Sequence, residues 1–166
     1  MKNLLIYSTE DSAYFAKLIG QALAVAPSKI IRDQFGDGEL YHRLDVKDSS
    51  ELFGQTVIFV ASTNSDKNFD ELEKIGQALA EAGTARRIFV IPFFGYSTME
   101  RAVLAGEMVS AKINARRLSA IANTDRGNVF LLLDLHVSGI LHYFEGDSLR
   151  YELSAAELFC QAIDEL

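Results

Sequence analysis

The chain has 166 residues, enough for one domain with a sizeable core, and its 49% hydrophobic and 23% charged residues are ordinary globular usage. Sixteen Lys and Arg against 23 Asp and Glu leave a net charge of −7, which argues against a sequence-independent nucleic-acid or anionic-membrane surface but not against a local phosphate pocket. One cysteine permits no internal disulfide, the first apolar run is too brief for a signal peptide and no run approaches a membrane helix, so the expected location is the cytoplasm.

Leu4 to Tyr7 reads as a first strand, and Ser8-Thr9-Glu10-Asp11 as the start of a helix that Ser8 or Asp11 caps. Tyr14, Phe15, Leu18, Ile19 and Leu23 recur at helical spacing and are expected to form its buried face, with Pro27 as the stop. Ile30-Ile31 begins a second strand, and Gly36-Asp37-Gly38-Glu39 reads as a hairpin turn into Leu40, Tyr41, Arg43 and Leu44. After a polar loop, Thr56 to Ala61 is a buried strand and the residues that follow it are rich in helix caps. Phe69, Leu72, Ile75, Leu79 and Ala82 are spaced for an amphipathic helix, with Gly83 placed to close it. Arg87 to Phe94 is another buried strand, and Pro92, lacking a ladder donor, marks where its pairing finishes.

Gly95 to Glu107 is a polar crossing, and Val109 to Ile121 returns to helix, with Val109, Ile113, Leu118 and Ile121 expected to pack. The stretch from Asn128 to His136 is apolar without alternation from Val129 to Leu133, the pattern of a strand buried on both faces of a parallel sheet. It delivers Asp134 and His136 to its carboxyl end, where ligands collect in open α/β sheets. In an extended chain that spacing points both side chains the same way, toward a metal-bound phosphate. The competing reading makes Asp134 a cap for the next segment and His136 a satisfied partner. A loop follows through Tyr143, Phe144 and Glu145, and Ser154 with Glu157 makes a capping box for a final helix in which Cys160 is expected in the core. Strands alternating with helices imply an α/β domain, a mostly parallel sheet with helices on both faces, carrying an antiparallel hairpin flap.

Several blocks fall in the order and spacing of the amino-terminal half of ribose-phosphate pyrophosphokinase. Phe35-Gly36-Asp37-Gly38-Glu39 resembles that family's F-S-D-G-E, and Ile91-Pro92-Phe93-Phe94-Gly95-Tyr96 resembles I-P-Y-F-G-Y. Ser110-Ala111-Lys112 resembles T-A-K or S-A-K, and Leu133-Asp134-Leu135-His136 resembles M-D-L-H, with Tyr143-Phe144-Glu145 where the family has G-F-F-D. The resemblance covers essentially the whole chain. It implies a phosphoribosyltransferase-like fold, two such halves per subunit, and transfer of the ATP β,γ-diphosphate to the 1-hydroxyl of ribose 5-phosphate.

By the same resemblance, the hairpin reaches into a neighbouring subunit of a homo-oligomer, with Phe35 stacking on adenine and Asp37 and Glu39 hydrogen-bonding to it. Asp134 and His136 are implied to bind Mg²⁺ and ATP phosphate, and Glu145 stands at a further magnesium position. Mg²⁺ prefers oxygen and keeps its waters, so Asp134 is the better ligand of the pair. After Gly95-Tyr96 the family has A-R-Q-D-R, whereas Ser97, Thr98, Met99, Glu100 and Arg101 stand here. Only the acid, Glu100, and the final base, Arg101, survive as nucleotide contacts; Thr98 and Met99 cannot replace a bidentate guanidinium. This G-Y-S-T-M-E-R form resembles a divergent branch, in which ATP is gripped differently, another nucleoside triphosphate replaces it, or nucleotide binding is lost.

The family's ribose 5-phosphate loop and its flexible Lys/Arg loop have no counterpart in the sequence. No catalytic residue is expected within this half, and diphosphate transfer, which depends on positioning and charge stabilisation, is not expected of it alone. The alternative is a noncatalytic member that binds an intact synthase and modulates its assembly.

Overall fold

The computed structural model describes residues 3–165, along which lie β1 (Leu4–Ser8), α1 (Ala13–Leu23), β2 (Ile30–Gln34), β3 (Leu40–Leu44) and β4 (Thr56–Val60). Then come α2 (Asp66–Glu81), β5 (Arg86–Ile91), α3 (Ser110–Ser119), β6 (Asn128–Leu133), β7 (Leu149–Leu153) and α4 (Ala156–Asp164). Five strands form one parallel sheet in the order β1-β4-β5-β6-β7, and β2 and β3 form a separate antiparallel hairpin.

The sheet needs cover on both faces, and its residues alternate accordingly. On one face Phe59, Phe89 and Phe130 are fully buried beneath Phe69, Leu72, Ile75 and Leu79 of α2 and Ala111, Ala115 and Leu118 of α3. Phe89 and Phe130 stack with ring centroids 5.0 Å apart, and burying each such ring contributes about 1.5–3 kcal/mol. On the other face Ile6, Ile58 and Val60 meet Ala16 of α1, with Ile19 and Leu23 alongside.

Arg87, on β5, is fully buried among these apolar groups, and among the described residues no carboxylate pairs with it. Its Nη1 donates to Gly76 O at 2.7 Å on α2, and its Nη2 donates to Ala122 O beyond α3. Desolvation lowers its pKa to about 10. One guanidinium thereby ties both helices of this face to the sheet.

Five sequence expectations are corrected. Tyr14, Phe15 and Leu18 of α1 are exposed, Tyr14 to 69%; the helix seats on the sheet through Ala16, with Ile19 and Leu23 alongside, while Gly20 makes room for the Val25 carbonyl and Pro27 of the chain leaving the helix. Ile113 is likewise exposed on α3, where Ala111, Ala115 and Leu118 make the contact. The residues before α4 are not all loop, because Leu149-Arg150-Tyr151-Glu152-Leu153 is the edge strand β7. The capping box does not close: Ser154 Oγ accepts from Ala156 N at 3.2 Å, Ala155 is the N-cap, and Cys160 is exposed.

Candidate functional site

The carboxyl ends of the parallel strands carry the polar loops. Thr63, after β4, and Gly95, after β5, are joined by a Gly95 N–H to Thr63 Oγ1 bond of 2.8 Å and a Thr63 N–H to Phe93 O bond of 2.9 Å. A Cβ on Gly95 would lie 2.0 Å from Thr63 O, so only glycine allows this approach. Tyr96 follows with φ 61° and donates its hydroxyl to Asp66 Oδ1 at 3.2 Å, a bond that raises the phenol's pKa.

The crossing that follows is built from its own polar groups. The Glu107 carboxylate accepts from Val103 N at 2.6 Å and Leu104 N at 2.9 Å. Glu100 O accepts the Tyr143 hydroxyl at 2.6 Å, tying this crossing to the 3₁₀ turn Ser138–Tyr143. Glu100 Oε1 lies 3.4 Å from Arg101 Nε, but the Arg101 side chain is 78% exposed, and such a solvated pair contributes little. The Arg101 guanidinium is therefore open to an anionic ligand.

At the end of β6, Asp134 turns into the left-handed region with φ 43°. The chain leaves its extended conformation there, so strand alternation does not relate Asp134 to His136. Both residues are exposed beside the sheet end. Asp134 Oδ1 accepts from Ala155 N at 3.0 Å, and Asp134 N donates to Leu153 O at 2.9 Å. The carboxylate thus secures the end of β7 rather than capping the segment that follows it. Its second oxygen remains for a ligand.

Glu145 is not brought to Asp134. Its carboxylate pairs with Arg116 Nε at 2.7 Å, and its N–H donates to Ser119 Oγ at 2.9 Å, both on the last turns of α3. That end of α3 leads to Ile121, whose carbonyl accepts from Asn128 at the start of β6, so Glu145 lies toward the opposite end of the sheet. Among the described residues, no three or more His, Cys, Asp or Glu side chains gather as a metal cage. Mg²⁺ takes one or two carboxylates and keeps several waters; the Asp134 carboxylate is held by Ala155 N, and the Glu145 carboxylate is paired with Arg116.

The hairpin tip is exposed, with Phe35 edge-to-face on Tyr41 at 5.8 Å and Asp37 Oδ1 accepting from Glu39 N at 3.1 Å. Its stem is clamped. Glu71, 2% exposed on α2, accepts from Arg32 Nη2 at 2.6 Å and Nε at 3.1 Å, and its other oxygen lies 3.4 Å from His42 Nε2. Arg32 Nη2 also donates to Ser8 O at the end of β1, at 2.6 Å. The stem therefore sits on the β1 edge, and β4 and β5 separate that edge from β6. Three inter-strand steps amount to roughly 14 Å. The anchored stem and the Asp134 end of β6 therefore lie three strands apart in the sheet.

The fold and the polar strand ends define a phosphoribosyltransferase-like α/β protein with a hairpin flap. A family model of the N-terminal domain of ribose phosphate pyrophosphokinase matches residues 4–121, and the chain belongs to that family. It is 31% identical over 146 residues to the ribose-phosphate pyrophosphokinase of Gloeobacter violaceus, covering 87% of this chain and 42% of that protein. To that of Xanthomonas campestris it is 30% identical over 145 residues, covering 87% and 44%. The chain thus spans less than half the length of these relatives. The crystal structure of phosphoribosylpyrophosphate synthetase from Mycobacterium smegmatis shares its fold, with a TM-score of 0.82 at 23% identity over 99% of this chain and 52% of that one.

Proposed function

We propose that this chain is the nucleotide- and Mg²⁺-binding half of a ribose-phosphate diphosphokinase, an enzyme transferring the ATP β,γ-diphosphate to the 1-hydroxyl of ribose 5-phosphate. The observation that carries the reading is the exposed Asp134 carboxylate at the carboxyl end of β6, with one oxygen fixed by Ala155 N. In this reading Asp134 holds a magnesium-bound polyphosphate, and His136 beside it donates to a phosphate oxygen. Bound Mg²⁺ supplies charge neutralisation of that polyphosphate. Arg101, exposed next to Glu100, gives the guanidinium that Thr98 and Met99 cannot. The base is covered by Phe35, Asp37 and Glu39 from another copy, since the hairpin of the same protomer lies at the other edge of its sheet. Ribose 5-phosphate enters only through a second domain, and the half alone does not turn over. The proposed setting is a cytoplasmic homo-oligomer; no helix among the described residues is long and apolar enough to cross a membrane.

Titration calorimetry with Mg-ATP tests the reading. A binding heat abolished by Asp134→Ala and weakened by His136→Ala supports it, and absence of heat from the unaltered chain overturns it. Coexpression with the complementary half of a relative is expected to produce diphosphate transfer that neither half shows alone. A second reading rests on Ser97-Thr98-Met99 standing in place of the family's nucleotide-contacting residues. It makes the chain a noncatalytic partner of an intact synthase, and stable mixed oligomers without any nucleotide heat are its signature.

A further inference from the structure

The edge strand β7 reads Leu149-Arg150-Tyr151-Glu152-Leu153, and no strand among the described residues covers its outer side. Leu153 O accepts from Asp134 N at 2.9 Å, so the backbone groups of Leu153 face β6. The N–H and C=O of one strand residue point the same way, and successive residues alternate. Those of Tyr151 and Leu149 therefore also face β6, whereas those of Arg150 and Glu152 face outward with no ladder partner.

The side chains alternate across the sheet as well. Leu149, Tyr151 and Leu153 share one face and are 45%, 50% and 45% exposed, an unusually apolar display for an edge. Arg150 and Glu152 occupy the other face, where among the described residues neither meets a side chain of opposite charge. Arg150 Nη2 reaches only Gly146 O, at 3.4 Å, and its Nη1 is buried without a hydrogen-bond partner.

We infer that β7 is a self-complementary edge that pairs antiparallel with β7 of a second copy about a two-fold axis at Tyr151, joining two sheets into one. In that register every outward N–H and C=O of Arg150 and Glu152 is satisfied by the other copy's Glu152 and Arg150. Both cross-strand charge pairs are of opposite sign, Tyr151 faces its own symmetry mate, and Leu149 faces Leu153. Moving the axis to Arg150 or to Glu152 sets like charges opposite each other, and a one-residue slip exchanges the apolar and charged faces. Charge and backbone direction thus select one register, and the occupant that satisfies it is this chain itself. The inference requires no nucleotide and stands apart from the role proposed for Asp134.

Sedimentation equilibrium on the purified chain, with circular dichroism as the check that each variant folds, decides the matter. The unaltered chain is expected to be a dimer without ligand. Arg150→Glu and Glu152→Arg each set like charges in both symmetric pairs and are expected to weaken it by about tenfold or more. The double variant Arg150→Glu/Glu152→Arg exchanges the pair and is expected to recover the dimer. A chain that stays monomeric, a dimer indifferent to the single changes, or a double variant no better than the singles overturns the inference. The last two outcomes place association on another surface, such as the hairpin.

Discussion

Glu71 on α2 and Arg32 on β2 are 39 residues apart in sequence and bonded through both nitrogens of one guanidinium edge, at 2.6 and 3.1 Å, with Glu71 2% exposed. This ion pair clamps the hairpin to the body of the domain. Removing Arg32 leaves the buried Glu71 carboxylate with only His42 Nε2, 3.4 Å from its other oxygen, which costs up to about 3 kcal/mol. Arg32→Met is expected to lower the denaturant midpoint accordingly. Arg32→Met/Glu71→Met is expected to cost less than the single change, and a double variant that costs the sum of the two singles or more would rule out a coupled pair.

Asp134 carries two separable duties. Asparagine tolerates the left-handed φ of 43° and keeps an oxygen for Ala155 N, so Asp134→Asn is expected to stay within about 0.5 kcal/mol of the parent stability. Its neutral amide is a poor ligand for Mg²⁺, and Mg-ATP heat is expected to fall sharply. Asp134→Ala loses both the bond and the conformational tolerance, about 2 kcal/mol together. Thermal melts run beside calorimetry on both variants separate the two duties.

Gly95→Ala places a Cβ 2.0 Å from the carbonyl oxygen of Thr63. That neighbour is backbone and cannot rotate away, so the two loops must part, at about 3 kcal/mol. The accompanying loss of the Gly95–Thr63 hydrogen bond is read as faster amide exchange at Gly95. An unchanged melting temperature would contradict the contact.

Acidification is expected to loosen the crossing between β5 and α3. The amides of Leu104 and Val103 hold the Glu107 carboxyl below its ordinary pKa of 4.5. The contribution of a depressed carboxyl is present above the unfolded-state value and is lost as pH falls through the folded one. Amide proton shifts of Val103 and Leu104 are expected to move together in a single titration below pH 4.5, and to be flat in Glu107→Gln.

Arg87 holds two carbonyls on separate elements, Gly76 O and Ala122 O. A lysine ammonium cannot span both, so Arg87→Lys leaves one buried acceptor unsatisfied, at about 1–3 kcal/mol. Chemical denaturation at neutral pH measures it, and a stability equal to the parent's would show that the second carbonyl finds water instead.

The alternation of apolar runs with helical spacings was sufficient to read a parallel α/β sheet, the hairpin at 36–39 and the helix that Gly83 closes, because each is a local pattern. β7 escaped the same reading although Leu149-Arg150-Tyr151-Glu152-Leu153 alternates with the strand period, because the run is only five residues long and directly follows the turn-forming Gly146-Asp147-Ser148. The exposure of Tyr14, Phe15 and Leu18 escaped it too: helical spacing identifies a stripe, not whether another element covers that stripe. Asp134 and His136 stood out from their place at a strand end, but the left-handed turn at Asp134 is a property of the folded chain.

What sequence alone determined, then, was the order of elements and the chemical types gathered at the strand ends, because periodicity and turn chemistry act within a few residues. Only the tertiary structure decided that Glu145 belongs to Arg116 rather than to Asp134, and that the hairpin hangs on Glu71 from the β1 edge. Partners many residues apart are chosen by which surfaces the sheet order brings together, and nothing in local spacing encodes that choice.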